Sequence, residues 1–199
     1  MLLYDSSVSG NCYKVRLLLT HLGLPFERRE LSVVDRSNRA ALIGELNPAR
    51  RVPTLVLDDG RALAESNAII WYFAEGTEYL PEDRFERAKV LQWLFYEQYD
   101  HEPTLAVVRF WVAFAADPPP AAEIEARRAA GYRSLDALER GLGDRPFLVA
   151  DRYTIADIAL YAYTHVAPQG GFDLFRYPAI GRWMDRVAAQ ERHVTIDAP

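Results

Sequence analysis

At 199 residues, 50% of them hydrophobic and 26% charged, the chain is long enough to bury one good core or two small ones. Its net charge is −5 with acids and bases interleaved, no basic stripe offers a footing for nucleic acid, and no apolar run reaches the ~18 to 20 residues of a membrane span, so neither partner is expected. The lone cysteine, Cys12, excludes an internal disulfide and a cysteine-rich metal site, and MLLYDSS carries no basic region followed by an apolar stretch, which together fit a cytoplasmic protein without a signal peptide.

Leu2-Leu3-Tyr4 reads as a short apolar strand and DSSVSGN, residues 5–11, as a loop. From Cys12 a helical pattern begins, with Val15, Leu18, Leu19 and Leu22 on one face, Gly23 as its stop and Pro25 just beyond. Phe26 to Leu31 suggests a second strand, and Asp35 to Leu46 a weakly amphipathic helix closed by Asn47-Pro48. Thr54-Leu55-Val56-Leu57 is a short buried strand; Pro53, which cannot donate to a ladder, must stand at its first residue or before it. Asp58-Asp59-Gly60 is a tight hairpin turn and Arg61-Ala62-Leu63 the returning strand. Glu65-Ser66-Asn67 opens an apolar-periodic helix that ends at Gly76. The order β-α-β-α-β-β-α requires a parallel pair with a helical crossover, to which the hairpin adds an antiparallel pair.

GTEYLPED, residues 76–83, breaks the pattern, and everything after it reads helical. The expected division is a first domain over 1–76, a linker over 77–83 and an all-α domain over 84–199. Arg84 to about Ala116 is one long helical pattern that Pro103 should kink or break. DPPP, residues 117–120, ends it; Ala121 to Leu142 follows with Tyr132, Leu135 and Leu138 inward. Thr154 and Asp157, three apart at the head of an apolar helix, form a capping box, with Tyr153 and Ile158 placed as a hydrophobic staple. Pro178 to Arg192 is a last helix with Ile180, Trp183, Met184 and Val187 inward.

A proline heading a strand, a tight hairpin and a Glu-Ser helix start together resemble a cytosolic glutathione transferase, of the bacterial, serine-type, theta/zeta/beta-like groups. The resemblance implies an α/β, thioredoxin-like N-terminal domain followed by an all-α domain. It implies glutathione as co-substrate with no metal, a small-molecule electrophile as second substrate, and a homodimer. Val52-Pro53, its peptide bond cis, would present a backbone to glutathione; Glu65 and Ser66 would hold the γ-glutamyl end, and Arg51 the glycyl carboxylate. Relatives often have glycine where Arg50 stands. Thr-Ile-Ala-Asp-Ile-Ala, from Thr154, resembles the buried capping motif of that family's helical domain, a folding role.

The implied chemistry presents glutathione as a thiolate, which needs donors aimed at sulfur near a helix N-terminus. On the family pattern Ser9 stands at the activating serine and Cys12 at the second cysteine of a thioredoxin-type Cys-x-x-Cys. Ser9 can donate to a thiolate but cannot form a mixed disulfide. Ser6 and Ser7 are rivals to it, Tyr4 is placed within its strand, and Asn11 can cap the helix, contact the thiol, or both. The electrophile's pocket is expected between the domains, with His101, Val108, Arg109 and Trp111 as candidate walls, although residues at helical spacing also make core. Two other functions compete: a non-catalytic glutathione transferase-like binding module, and a glutathione-dependent thiol-disulfide reductase or peroxidase using Cys12. Aromatics on both sides of the linker, Trp71-Tyr72-Phe73 and Phe95-Tyr96, fit the expected homodimer.

Overall fold

In the computed structural model, which describes residues 1–198, the first half of the chain builds a sheet of four short strands: β1 (Leu2–Asp5), β2 (Glu27–Glu30), β3 (Thr54–Val56) and β4 (Ala62–Ala64), in the order β2-β1-β3-β4. β1 and β2 run parallel, joined through helix α1 (Gly10–His21); β1–β3 and β3–β4 are antiparallel. Successive side chains of a strand point to opposite faces. Tyr4 joins Leu31 and Ile43 in one cluster, with Leu2, Val52 and Val56 packed on it. Leu3 faces the other way and is fully buried, as are Leu17, Ile69 and Ile70 of α1 and of helix α3 (Ser66–Ala74), which pack on each other.

Helix α2 (Arg39–Ile43) is much shorter than the 35–46 pattern predicts. Its first turn is lost to local side-chain bonds: Ser32 Oγ accepts from the amides of Val34 and Asp35, and Asp35 Oδ1 accepts from Ser37 N–H. Such short polar side chains offer the backbone an alternative to the helix.

Residues 78–190 form a second unit, all helical. α4 (Arg84–Tyr96) is capped by Asp83, whose carboxylate accepts from the amides of Phe85 and Glu86. A single π turn over Glu97–His101 separates it from α5 (Glu102–Ala113). Pro103 is the cause within reach: it has no N–H to return to the preceding turn, and a widened turn is one way a helix absorbs that loss. α6 (Ala121–Leu142), α7 (Ile155–Thr164), a 3₁₀ turn over Ala167–Gly170 and α8 (Pro178–Ala188) complete the unit. Leu135 and Leu138 are fully buried as expected, and so are Ile180, Trp183 and Val187; Tyr132 and Met184 are only half-buried. No described helix is long and apolar enough to cross a membrane.

From Glu191 the chain leaves the helical unit and clusters with the first. The 84–199 reading placed this tail with the helices. Polar side chains of α1 and β2 hold its backbone instead: Tyr13 Oη–H donates to Val194 O (2.7 Å), Arg16 to Ile196 O (2.6 Å) and Arg28 to Ala198 O (2.9 Å). Both arginines also grip the buried Asp5 carboxylate, each at 2.6 Å.

Candidate functional site

The strand register brings three chain segments to one edge of the sheet. Tyr4 pairs with Thr54 and Thr54 with Ala64, so the end of β1, the head of β3 and the end of β4 lie side by side. The loop to α1 leaves from the first, Val52–Pro53 stands at the second, and Glu65 and α3 follow the third. Two helix N-termini therefore open at this edge, and Ser66 Oγ–H donates to Asn11 Oδ1 across them at 3.2 Å. The positive ends of both helix dipoles make the edge a natural place for an anion.

The three serines of the loop separate cleanly. Ser6 and Ser7 both donate through their hydroxyls to the Glu30 carboxylate, which also takes the Ser7 amide. Their protons are thereby committed to β2. Ser9 is the N-cap of α1, which starts at Gly10 rather than near Asn11 or Cys12. Its Oγ accepts from Cys12 N–H at 3.3 Å, and its side chain also bonds the Cys12 thiol, so that, unlike Ser6 and Ser7, it gives its proton to no carboxylate. Tyr4 is buried within its strand, away from this role.

Cys12 is fully buried one turn into α1. Burial pushes its thiol well above the ordinary range and the Asp5 carboxylate adds to the push, while the side chain of Ser9 and the backbone of Ser6 oppose it weakly. A thiol held neutral and out of reach is not a nucleophile, which removes the physical basis for a reductase working through Cys12.

The Val52–Pro53 peptide bond is cis, as the sequence reading expects. Ahead of it the loop is held by its backbone: Asn47 Nδ2 and Thr54 Oγ1 both donate to Arg51 O. Arg50 takes a left-handed φ of 52°, which accounts for glycine being the easier residue there. The side chains of Arg50 and Arg51 are exposed. Buried Arg39 fixes this loop from α2, donating to Arg50 O and Ser32 O.

Glu65 sits at φ 66°, ψ 114°, sparsely populated backbone for a side chain with a Cβ, and makes no capping bond to its own helix. Such a conformation costs on the order of 1–3 kcal/mol and persists where the surroundings impose it. It leaves the Glu65 carboxylate exposed beside the nearly buried Ser66, so one acceptor and one hydroxyl meet at a helix N-terminus. Sequence reading missed Lys14. It is fully buried, and its Nζ donates to Asn11 Oδ1 (2.9 Å), Ser66 Oγ (3.3 Å) and Asn67 Oδ1 (3.3 Å). The available signal was its rarity, since Lys14 and Lys89 are the only lysines among 23 basic residues.

Three of the four residues expected to meet an electrophile have another setting. His101 is fully buried, its ring nitrogens 3.0 Å from Ser134 Oγ and Thr164 Oγ1. Val108 is fully buried; Arg109 is buried, donating to Gln169 Oε1 at 2.7 Å and lying over the Phe114 ring. These three knit the interior of the helical unit, the outcome helical spacing most often has. Trp111 alone is half-exposed, with the Arg127 guanidinium 5.1 Å from its ring centre.

Comparison with known proteins bears on the whole chain. Residues 8–75 match the model of the glutathione S-transferase N-terminal domain, and residues 90–191 that of its C-terminal domain. A glutathione S-transferase structure from Pseudomonas fluorescens Pf-5 is 45% identical, with a TM-score of 0.92 over 98% of each chain. A possible glutathione S-transferase from Rhodopseudomonas palustris is 40% identical, with a TM-score of 0.95 over 100% of this chain and 98% of that one. The disulfide-bond oxidoreductase YfcG of Escherichia coli K12 is 28% identical, covering 90% of this chain and 86% of its own.

Proposed function

The chain belongs to the glutathione S-transferase family, and on that footing we propose that it holds glutathione at the sheet edge, with residues 1–76 as the binding domain, and presents its thiol as a thiolate to a small electrophile. Ser9 donates its hydroxyl proton to the sulfur, and the N-terminus of α1 adds its field. The observation that carries this reading is the division of labour among the loop serines: Glu30 takes the protons of Ser6 and Ser7, while Ser9 caps α1 and turns its hydroxyl to the neutral Cys12 thiol, a weak acceptor that a ligand thiolate would outcompete.

The same reading assigns the rest of the tripeptide. Val52 offers its backbone to the cysteinyl residue. Glu65 takes the α-amino group, Ser66 and the α3 N-terminus receive the α-carboxylate, and Asn11 stands at the thiol end. Arg51 faces the glycyl carboxylate. Trp111 is the one side chain of the expected four with surface left for the electrophile. Glu65→Gln is expected to raise the KM for glutathione about tenfold or more, the worth of a hydrogen bond to a charged group, with kcat at saturating glutathione nearly kept. An unchanged KM would remove Glu65 from the site.

Two assays test the function: retention on immobilised glutathione, and turnover against a panel that includes a hydroperoxide and a mixed disulfide. Binding with no turnover of any substrate would favour a binding module. Turnover of the mixed disulfide alone would favour the oxidoreductase chemistry named for the Escherichia coli relative. It would then run on the thiol of glutathione, since Cys12 is sealed in the core.

A homodimer in the cytoplasm belongs to the same proposal. Leu91, Phe95 and Tyr99, four residues apart, form an apolar stripe along α4 and the π turn, and Phe95 and Tyr99 are 70% and 83% exposed. In the first unit Tyr72 is also exposed. Tyr96, by contrast, turns inward to Ser134. Phe95→Glu is expected to shift the protein from dimer to monomer in light scattering at micromolar concentration, because a charge replaces an apolar contact. A wild-type monomer would contradict the assignment.

A further inference from the structure

We propose that Lys14 is a positioning residue for glutathione, setting the amide of Asn11 and the hydroxyl of Ser66 together and so tying the thiol end of the site to its γ-glutamyl end. It rests on the glutathione reading above. Lys14 stands one turn into α1, fully buried, and its single Nζ reaches Asn11 on its own helix and Ser66 and Asn67 at the start of α3.

The chemistry of an ammonium makes the arrangement directional. It has donors and no acceptor, so the atoms of Asn11 and Asn67 that meet it must be their carbonyl oxygens. Both amide NH₂ groups are thereby turned off Lys14, Asn11's within two residues of Ser9 and Asn67's on the first turn of α3. Asn11 Oδ1 accepts from Lys14 and from the Ser66 hydroxyl at once. When Ser66 swings its proton to a ligand carboxylate, Asn11 Oδ1 still has Lys14, so the swing leaves no buried acceptor unsatisfied. The same ammonium donates to Ser66 Oγ, which draws charge from the hydroxyl and makes its proton a better donor to that carboxylate.

The role predicts discrimination at one functional group. Glutathione and γ-aminobutyryl-cysteinylglycine, the same tripeptide without the γ-glutamyl α-carboxylate, would be bound to the full-length wild type, Lys14→Met and Lys14→Arg, with calorimetry as the readout. The wild type is expected to prefer glutathione strongly. Lys14→Met, of similar shape with no donor, is expected to lose about tenfold of that preference. Lys14→Arg, which keeps charge and donors, is expected to restore most of it. A Lys14→Met protein with the wild-type preference overturns the inference, since a merely structural lysine would weaken both ligands alike. Should Lys14→Met fail to fold, Asn67→Ala, at a half-exposed helix position that suits alanine, frees one anchor of the ammonium and is expected to cost about threefold in the same ratio; an unchanged ratio there also overturns it. Failure of the wild type to bind glutathione at all overturns the functional reading and this inference with it, whereas binding with discrimination untouched overturns this inference alone.

Discussion

Asp157→Ala is expected to cost the protein about 3 to 5 kcal/mol, because several buried donors would lose their acceptor together. The carboxyl is fully buried. Oδ1 accepts from Leu148 N–H (3.0 Å) and Trp183 Nε1–H (2.9 Å), and Oδ2 from Thr154 N–H (2.9 Å) and Thr154 Oγ1–H (3.1 Å). It thus closes the capping box of α7 and fastens both the preceding loop and α8 to it. A thermal or denaturant melt reads the loss, and unchanged stability with lost turnover would overturn the folding role. Asp157→Asn keeps one oxygen and should fall between the two. Burial raises this carboxyl to about 6, against the four donors that favour the charged form. The folded value lies above the ordinary one of 3.8, so the proton-linked part of the stability is complete below about pH 4 and is lost as pH rises through about 6, while the four accepted bonds remain. Asp157→Asn should flatten that part of the stability profile.

The capping box was legible because its chemistry is local: Thr154 and Asp157 sit three apart on the chain and meet at one helix start. The same holds for the hairpin around Gly60 and for Pro53 at the head of β3, where a single residue type restricts the backbone. Three features escaped because their partners are distant in sequence. The tail docks on α1 and β2 through side chain to backbone bonds that leave no periodic trace. Lys14 faces Ser66 and Asn67 across the packed pair of helices, and an apolar pattern has no place for a buried ammonium. His101 and Val108 were offered as pocket walls, yet the spacing that drew notice to them is the spacing of core. The start of α1 was read two residues late, and so Asn11, not Ser9, stood as the candidate cap.

The second large effect concerns Ser9. Ser9→Ala removes a hydrogen bond to a developing thiolate, worth about 1.5 to 3 kcal/mol, and turnover is expected to fall about 10- to 150-fold. Glutathione affinity should change little, because the γ-glutamyl and backbone contacts remain. The lost cap of α1 adds a separate destabilisation of about 1 kcal/mol, visible in a melt and too small to account for the kinetic loss. Ser9→Thr keeps both the cap and the proton and should restore most of the activity. Ser9→Cys places a thiol at a helix N-terminus, where its pKa falls, and is expected to gain mixed-disulfide exchange while losing conjugation. Cys12→Ala leaves the rate nearly intact, since that thiol is buried and held neutral.

The central claim, that Ser9 stabilises the thiolate, is tested most directly by titrating the thiol of bound glutathione through its ultraviolet thiolate absorbance in the wild type, Ser9→Ala and Cys12→Ala. The expected result is a thiol pKa raised by about 1 to 2 units in Ser9→Ala and unmoved in Cys12→Ala. A bound thiol with the same pKa in the wild type and Ser9→Ala, together with loss of turnover in Cys12→Ala, would contradict it.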